Sequence, residues 1–269
     1  MKRLLKYLLA IALVTSAIII IFSRKKKEEI FYPRDYAGII ESGVIKAVTE
    51  YNALSFYVEE GKISGFDYEL LNAFAKEKGL KLEITPEMSF EKRIKGLLEG
   101  RYDMIALGTA TTTQLKDSII FTHPLAIGKQ VLIQRNDNEE IIKRTLDLAG
   151  KTIYIIKDSP ARMRINNLMN EIADSIYIRE IEEYGPEQML AMVSAGDIDY
   201  AICDEITAKA YIDNFKNLNI DTNISFSQFY SWGISRKAPV LMDSINSWLD
   251  RYVKTKEYRN LYDKYFNRK

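Results

Sequence analysis

One pattern occurs twice in this chain, and it limits what the chain can fold into. The segment Gly100-Arg101-Tyr102-Asp103-Met104-Ile105-Ala106-Leu107-Gly108 is echoed by Gly196-Asp197-Ile198-Asp199-Tyr200-Ala201-Ile202-Cys203-Asp204. Each copy follows an amphipathic helical pattern: Ile94, Leu97 and Leu98 before the first, Met189, Leu190 and Val193 before the second. Each reads as helix, glycine stop, an Asp-bearing turn, then an apolar strand entering a polar segment. Two equivalent α/β lobes on one chain leave a cleft between them, and such clefts hold small ligands.

The surrounding sequence supports the same reading. Val44 to Thr49 predicts a strand, and Gly65-Phe66-Asp67-Tyr68 opens a helix with Leu70, Leu71, Phe74 and Ala75 on its apolar stripe and Gly79 as its stop. Leu82 to Thr85 predicts a strand, Phe90 to Leu98 a helix and Tyr102 to Leu107 a third strand. After Asp147-Leu148-Ala149-Gly150-Lys151 a second series begins, with a strand over Thr152 to Ile156. Ser159 as cap and Pro160 as first helical residue then open a helix running through Ile165 and Leu168. A helix is expected from Ile206 to Phe215, and one long amphipathic helical stretch from Val240 to Tyr262. Strands alternating with helices imply a mainly parallel sheet, with ligands at the carboxyl ends of its strands. In the first lobe those ends are Glu50-Tyr51-Asn52 and Gly108 to Thr113.

Composition removes several function classes. A formal net charge of +1 and the absence of a basic face argue against a nucleic-acid partner. Cys203 is the single cysteine and reads as a small core residue. His123 is the single histidine, so neither a transition-metal site nor a Ser-His-Asp arrangement is expected. Glycoside cleavage would need paired carboxylates across a cleft. Asp204 and Glu205 are adjacent, and in a strand-end turn they should diverge. The expectation is a protein without catalysis and without a cofactor.

At the amino terminus Lys2, Arg3 and Lys6 precede an apolar run from Tyr7 to Phe22, and Arg24-Lys25-Lys26-Lys27 follows. The pattern fits an export signal, but no small-residue cleavage site closes the run. Its length is near the lower limit of about 17 residues for a spanning helix. An uncleaved anchor in the inner membrane through residues 7–22 is therefore favoured over a removed signal. Lys and Arg counts on the two sides are nearly balanced and do not favour exporting the carboxyl-terminal side, so a wholly cytoplasmic anchored domain is the alternative to disprove. The expected division is a signal or anchor over 1–27, a linker over 28–34, a discontinuous first lobe over 35–128 plus 229–269, and a second lobe over 129–228.

Several short segments, taken in order, resemble one family. They are Gly65-Phe66-Asp67-Tyr68-Glu69-Leu70, the strand Tyr102 to Leu107 entering a Thr-rich turn, Phe121-Thr122-His123-Pro124, Asp147 to Lys151, Asp199 to Asp204, and the aromatic end at Tyr262, Tyr265 and Phe266. The chain resembles the type II periplasmic solute-binding proteins of the amino-acid class, family 3 of the bacterial extracellular binding proteins. Within that class Leu54-Ser55-Phe56-Tyr57, Asp67 to Leu70, Lys129 to Arg135 and Gly196 to Tyr200 look like the binding domain of membrane-bound lytic murein transglycosylases. In those enzymes a catalytic domain follows, with its Glu in a Glu-Ser motif. Glu41-Ser42 sits before the first strand and does not match that context, so a binding module alone is expected.

The resemblance implies an α/β fold of two lobes joined by a hinge, closing on a small ligand. It also implies a site. In the family an Arg in the helix after the Thr-rich turn meets the ligand's carboxylate; here Leu115 falls at that position, and Lys116 should point about 100° away. Gly108 and Ala110 would offer main-chain groups, and Thr112 would cap the helix. Asp204 would receive the ligand's amino group, or else cap the helix after it. Ser159 matches a helix-start position, Arg162 is the candidate replacement cation, and Tyr51 and Asn52 would wall the pocket. The expected function is a tethered or exported protein, on the periplasmic face of the inner membrane, that binds an amino acid, peptide or muropeptide fragment. Two alternatives are a receptor delivering amino acids to an ABC permease and a module that binds a separate cell-wall enzyme.

Overall fold

The computed structural model describes residues 31–110, 117–137, 141–182 and 184–266. The apolar run over 7–22, Thr112 and Leu115 lie outside the described residues. Among the described residues no helix is long and apolar enough to cross a membrane.

Among the described residues thirteen strands and eight α-helices follow one another. The first series is α1 (Tyr36–Ser42), β1 (Val44–Thr49), β2 (Tyr57–Glu59), β3 (Lys62–Ser64), α2 (Phe66–Glu77), β4 (Lys81–Pro86), α3 (Phe90–Leu98), β5 (Met104–Ala110), β6 (Ile119–Phe121) and β7 (Ala126–Gly128). The second is β8 (Gln130–Arg135), β9 (Thr152–Ile156), α4 (Ala161–Ile172), β10 (Tyr177–Ile181), α5 (Pro186–Ala195), β11 (Ala201–Asp204), α6 (Glu205–Tyr211) and β12 (Leu218–Asn219). The chain then returns through β13 (Gln228–Ser235) and ends with α7 (Pro239–Tyr252) and α8 (Lys256–Phe266).

These strands make two large sheets of matching plan. The first runs β4-β1-β5-β13-β6, with β7 also paired to β13; the second runs β10-β9-β11-β8-β12. In each, the central parallel strands are flanked by an antiparallel one: β13 against β5, β8 against β11. The duplicated segments supply β5 and β11, which occupy equivalent places in separate sheets. The fold is therefore a two-lobed α/β fold with a discontinuous first lobe, because β13, α7 and α8 return to the first sheet. The chain crosses between lobes at residues 128–130 and again at 225–228.

Local chemistry explains why the elements begin and end where they do. Asp35 accepts from Tyr36 N at 2.7 Å and from Leu241 N at 2.8 Å, so one carboxylate caps α1 and the start of α7. Ser89 Oγ accepts from Lys92 N at the start of α3. Gly196 ends α5 at φ 85°, a left-handed position where glycine carries no steric penalty. The first core packs Leu70, Leu71 and Phe74 of α2 against Trp232, Ile245 and Trp248. The second lobe has an apolar cluster on each face of its sheet, one under α5 and α6, the other under α4.

Two expectations at helix level are corrected. The expected stretch from Val240 to Tyr262 is two helices, broken at 253–255, where Thr255 Oγ1 accepts from Tyr258 N and caps the second. The break lets Tyr258, Tyr262, Tyr265 and Phe266 turn back onto Phe66. The helix after Asp204 ends at Tyr211 and tightens into a 3-10 turn over Ile212–Asn214, short of Phe215.

The repeated aspartates are structural, and they differ in depth. Asp103 accepts from Arg34 Nε at 3.0 Å and from Lys46 N at 2.7 Å, with its side chain 1% exposed. Asp199 pairs with Arg135 Nη2 at 2.7 Å but is 68% exposed. Asp103→Ala takes the charge partner from a half-buried guanidinium and the acceptor from a strand N–H, so a loss of about 2 kcal/mol is expected. Asp199→Ala should cost less than about 1 kcal/mol. Urea unfolding of both variants checks the contrast; equal losses would contradict it.

Candidate functional site

The carboxyl ends of the parallel strands of both sheets face a shared cavity of about 130 Å³. Glu50, Leu107 and Gly108 reach it from the first lobe, and Ile156, Cys203 and Asp204 from the second. Its walls are largely apolar, with Phe66, Phe90 and Phe266 on the first-lobe side and Ile202 and Ile206 opposite. Apolar walls of this kind strengthen the few polar interactions between them.

Among the described residues four charged side chains line it: Glu50, Asp67, Arg93 and Asp204. Arg93 Nη2 lies 3.2 Å from Glu50 Oε2, both nearly buried. Arg93 also donates through Nη1 to the carbonyls of Glu87 at 2.6 Å and Met88 at 3.0 Å, so the guanidinium is fixed in place. Burial raises the Glu50 pKa above the ordinary carboxylate value, and the Arg93 charge opposes that rise. Asp67, on the first turn of α2, accepts from Trp232 Nε1 at 2.6 Å. Burial pushes its pKa up to about 6, opposed by hydrogen bonds from Trp232, Ser55 and the Gly108 backbone.

Asp204 stands at the end of β11 and accepts from the Tyr230 hydroxyl at 2.7 Å. Burial pushes its pKa up to about 6; the Tyr230 bond opposes the shift and the nearby Glu50 charge adds to it. Asp204 is the cap residue of α6, yet its side chain makes no capping hydrogen bond. The carboxylate faces the cavity and the phenol.

Two polar atoms on the second-lobe wall have no partner among the described residues. They are Gln130 Oε1, on β8, and Ser159 Oγ, just before α4. A buried polar atom left unpaired costs about 1–3 kcal/mol. Two of them lie on one wall of the cavity.

The sequence expectations divide accordingly. Gly108, Ser159, Asn52 and Asp204 line the cavity. Ser159 is not the helix cap; Pro160 holds that position and no side chain caps α4, which leaves the serine hydroxyl free for the cavity. Asn52 turns inward to hold its own loop, accepting from Leu54 N at 3.0 Å and Ser55 N at 2.7 Å. The Gly108 backbone serves Asp67, and Ala110 sits opposite Tyr230 in the β5–β13 ladder. Tyr51 is 48% exposed and lines an outer groove with Tyr57, Met88 and Tyr211 instead of the cavity. Arg162 does not replace the missing cation: it is exposed and paired with Glu180 at 2.8 Å. Among the described residues the cation lining the cavity is Arg93, which the sequence reading missed along with Asp67, Gln130 and Tyr230. One signal was available for Arg93, since it occupies the buried register of α3 with Leu97, four residues on.

With this geometry in place, known proteins give a consistent comparison. A family model described as bacterial extracellular solute-binding proteins, family 3, matches residues 44–268. Membrane-bound lytic murein transglycosylase F of Pseudomonas fluorescens is 24% identical over 237 residues, covering 87% of this chain and 48% of that protein. The protein of the same name from Desulfosudis oleivorans is 26% identical over 231 residues, covering 85% of this chain and 50% of that one. The chain thus spans about half the length of these curated relatives. Among solved structures, a P235GK mutant of ArgBP from T. maritima superposes with a TM-score of 0.75 at 25% identity, covering 86% of this chain and 99% of that one. The substrate binding protein of an amino acid ABC transporter gives a TM-score of 0.73 at 26% identity, covering 84% and 100%.

Proposed function

The chain belongs to the bacterial extracellular solute-binding proteins of family 3, and from that premise we propose that it closes, without catalysis, on a small amine-bearing solute. The observation that carries this reading is the charge of the cavity. Among the described residues three carboxyl groups, at Glu50, Asp67 and Asp204, face a single guanidinium that is already paired with Glu50. Asp67 is saturated by Trp232, Ser55 and Gly108, which leaves Asp204 as the carboxylate best placed to meet an ammonium. Gln130 Oε1 and Ser159 Oγ add an acceptor and a hydroxyl on the same wall.

The solute is an amino acid, peptide or muropeptide fragment. Cavity volume favours a small head group, and the outer groove shares Asn52, Pro186, Ile206 and Phe266 with the cavity, which gives a longer ligand a path outward. We place the protein on the periplasmic face of the inner membrane, tethered through residues 7–22 or released by cleavage after them. Two roles compete beyond binding itself. The amino acid ABC transporter neighbour favours delivery to a permease. The transglycosylase relatives favour regulation of a cell-wall lytic enzyme.

Thermal shift of the detergent-solubilised full chain against amino acids, short peptides and muropeptides tests the reading. A stabilising ligand whose effect disappears in Asp204→Ala is expected. A flat screen, together with capture of a lytic enzyme, would replace solute binding with partner binding.

A further inference from the structure

The geometry points to Tyr230 as a positioning residue: its hydroxyl, carried by the first lobe, ties Asp204 of the second lobe and so joins closure of the lobes to ligand uptake. This inference rests on the reading of Asp204 given above and extends it across the hinge.

Three observations converge on the phenol. Tyr230 lies on β13 immediately after the second crossing, is 3% exposed, and donates to Asp204 Oδ1 at 2.7 Å. The bond joins the first sheet to the second beside the crossing strand, so parting of the lobes would stretch it. The first crossing is shaped to admit it. A Cβ on Gly128 would stand 3.0 Å from Tyr230 Cε2 and 3.0 Å from Ile206 Cδ1. The bare α-carbon is what lets the tyrosine ring and α6 meet over the crossing strand. Finally, the crossing strand is bonded to the same corner: the Lys129 carbonyl accepts from Glu205 N at 2.8 Å, next to Asp204, and lies 3.5 Å from the Tyr230 hydroxyl.

Chemistry turns this arrangement into coupling. A buried carboxylate is costly unless its oxygens are bonded. With the lobes apart, water can solvate Asp204. With the lobes together, Tyr230 fills Oδ1 and the cavity offers the other oxygen to a cation. Each partner lowers the cost of the other's arrival, and such coupling is reciprocal. The same corner accounts for the lack of a capping bond from Asp204: the phenol holds the carboxylate away from the α6 N–H groups.

The test separates the phenol from the charge. Spin labels on Lys76→Cys in α2 and Asn167→Cys in α4, both exposed positions, report the interlobe distance in the full chain by pulsed dipolar spectroscopy. The native Cys203 is buried. Tyr230→Phe is expected to shift the population from short to long distances by about tenfold. Asp204→Asn keeps an acceptor for the phenol and drops the buried charge, so without ligand its distances should be as short as the parent's or shorter. Thermal unfolding of each variant shows that it is folded. A parent-like distribution in Tyr230→Phe overturns the inference, and so does a long-distance shift in Asp204→Asn. Failure of the amine screen would be a separate result: it would remove the ammonium and leave the distance readout to decide the role of Tyr230 in closure.

Discussion

Asp204→Asn is expected to yield a protein that is more stable and no longer binds its ligand. The Asp204 pKa in the folded protein, about 6, lies above the ordinary aspartate value of 3.8. The folded state therefore holds the proton more tightly than the unfolded chain, and ionising the group costs stability. Below about pH 4 the cost is absent; it grows as pH rises through the interval from 4 to 6 and is complete above it. At about 1.36 kcal/mol for each pKa unit, the cost at pH 8 is on the order of 1–3 kcal/mol. Asn removes the charge and keeps an acceptor for Tyr230. Calorimetry should show a melting temperature several degrees above the parent at pH 8, and no gain at pH 4. Titration calorimetry should show a loss of about 100-fold or more for an amine ligand at pH 8, because the buried countercharge is gone. Parent affinity should itself weaken as pH falls below about 6, when Asp204 takes up its proton. An Asn variant that binds like the parent would place the ligand elsewhere.

Gly65→Ala carries the largest expected effect on folding. Gly65 has φ 132°, which L side chains rarely adopt, and an added Cβ would sit 2.3 Å from the Ser55 carbonyl oxygen and 2.7 Å from Phe56 N. Both obstacles are backbone, so no rotamer change relieves them. The surroundings are pinned as well: Gly65 N donates to the Tyr265 hydroxyl at 2.7 Å, and Tyr68 N to Ser55 O at 3.1 Å. Backbone strain alone costs about 1–3 kcal/mol, and displacement of this bonded loop adds to it. A loss above about 3 kcal/mol in urea unfolding is expected. Gly43→Ala provides the contrast, since its φ is 68° and nothing lies within 4 Å of the added Cβ. Its cost should stay near 1 kcal/mol. Because Phe66 and Asp67 follow directly and line the cavity, the Gly65 variant should also lose ligand affinity.

Much of the fold was legible because periodicity and stop signals are local. The strand Val44 to Thr49, the helix Phe90 to Leu98 and the strand Thr152 to Ile156 agree with the structure at both ends. Gly196 was readable as a helix stop because a left-handed position favours that residue. The break at 253–255 was not legible: Val253, Lys254 and Thr255 include no Gly or Pro, and the aromatic packing on Phe66 decides it. The site shows the same division. Asp204 stood at a strand end and could be read from position alone. Arg93 and Glu50 lie 43 positions apart, on different elements, and only the folded chain pairs them. Tyr230 was one of 17 tyrosines, and nothing local distinguished it. Arg162 lies near the start of α4, as a ligand-facing cation would, but the helix turns it outward to Glu180.

The return of β13 to the first sheet affects the order in which the newborn protein can assemble. Amino-terminal domains generally fold first as a polypeptide leaves the ribosome. Here the first sheet lacks an inner strand until Ser235 has been made, and Trp232, Trp248 and Leu249 of its core arrive later still than every strand of the second. The middle of the chain is thus the earliest part able to complete itself, while the opening segments wait, unfinished, for the last ones.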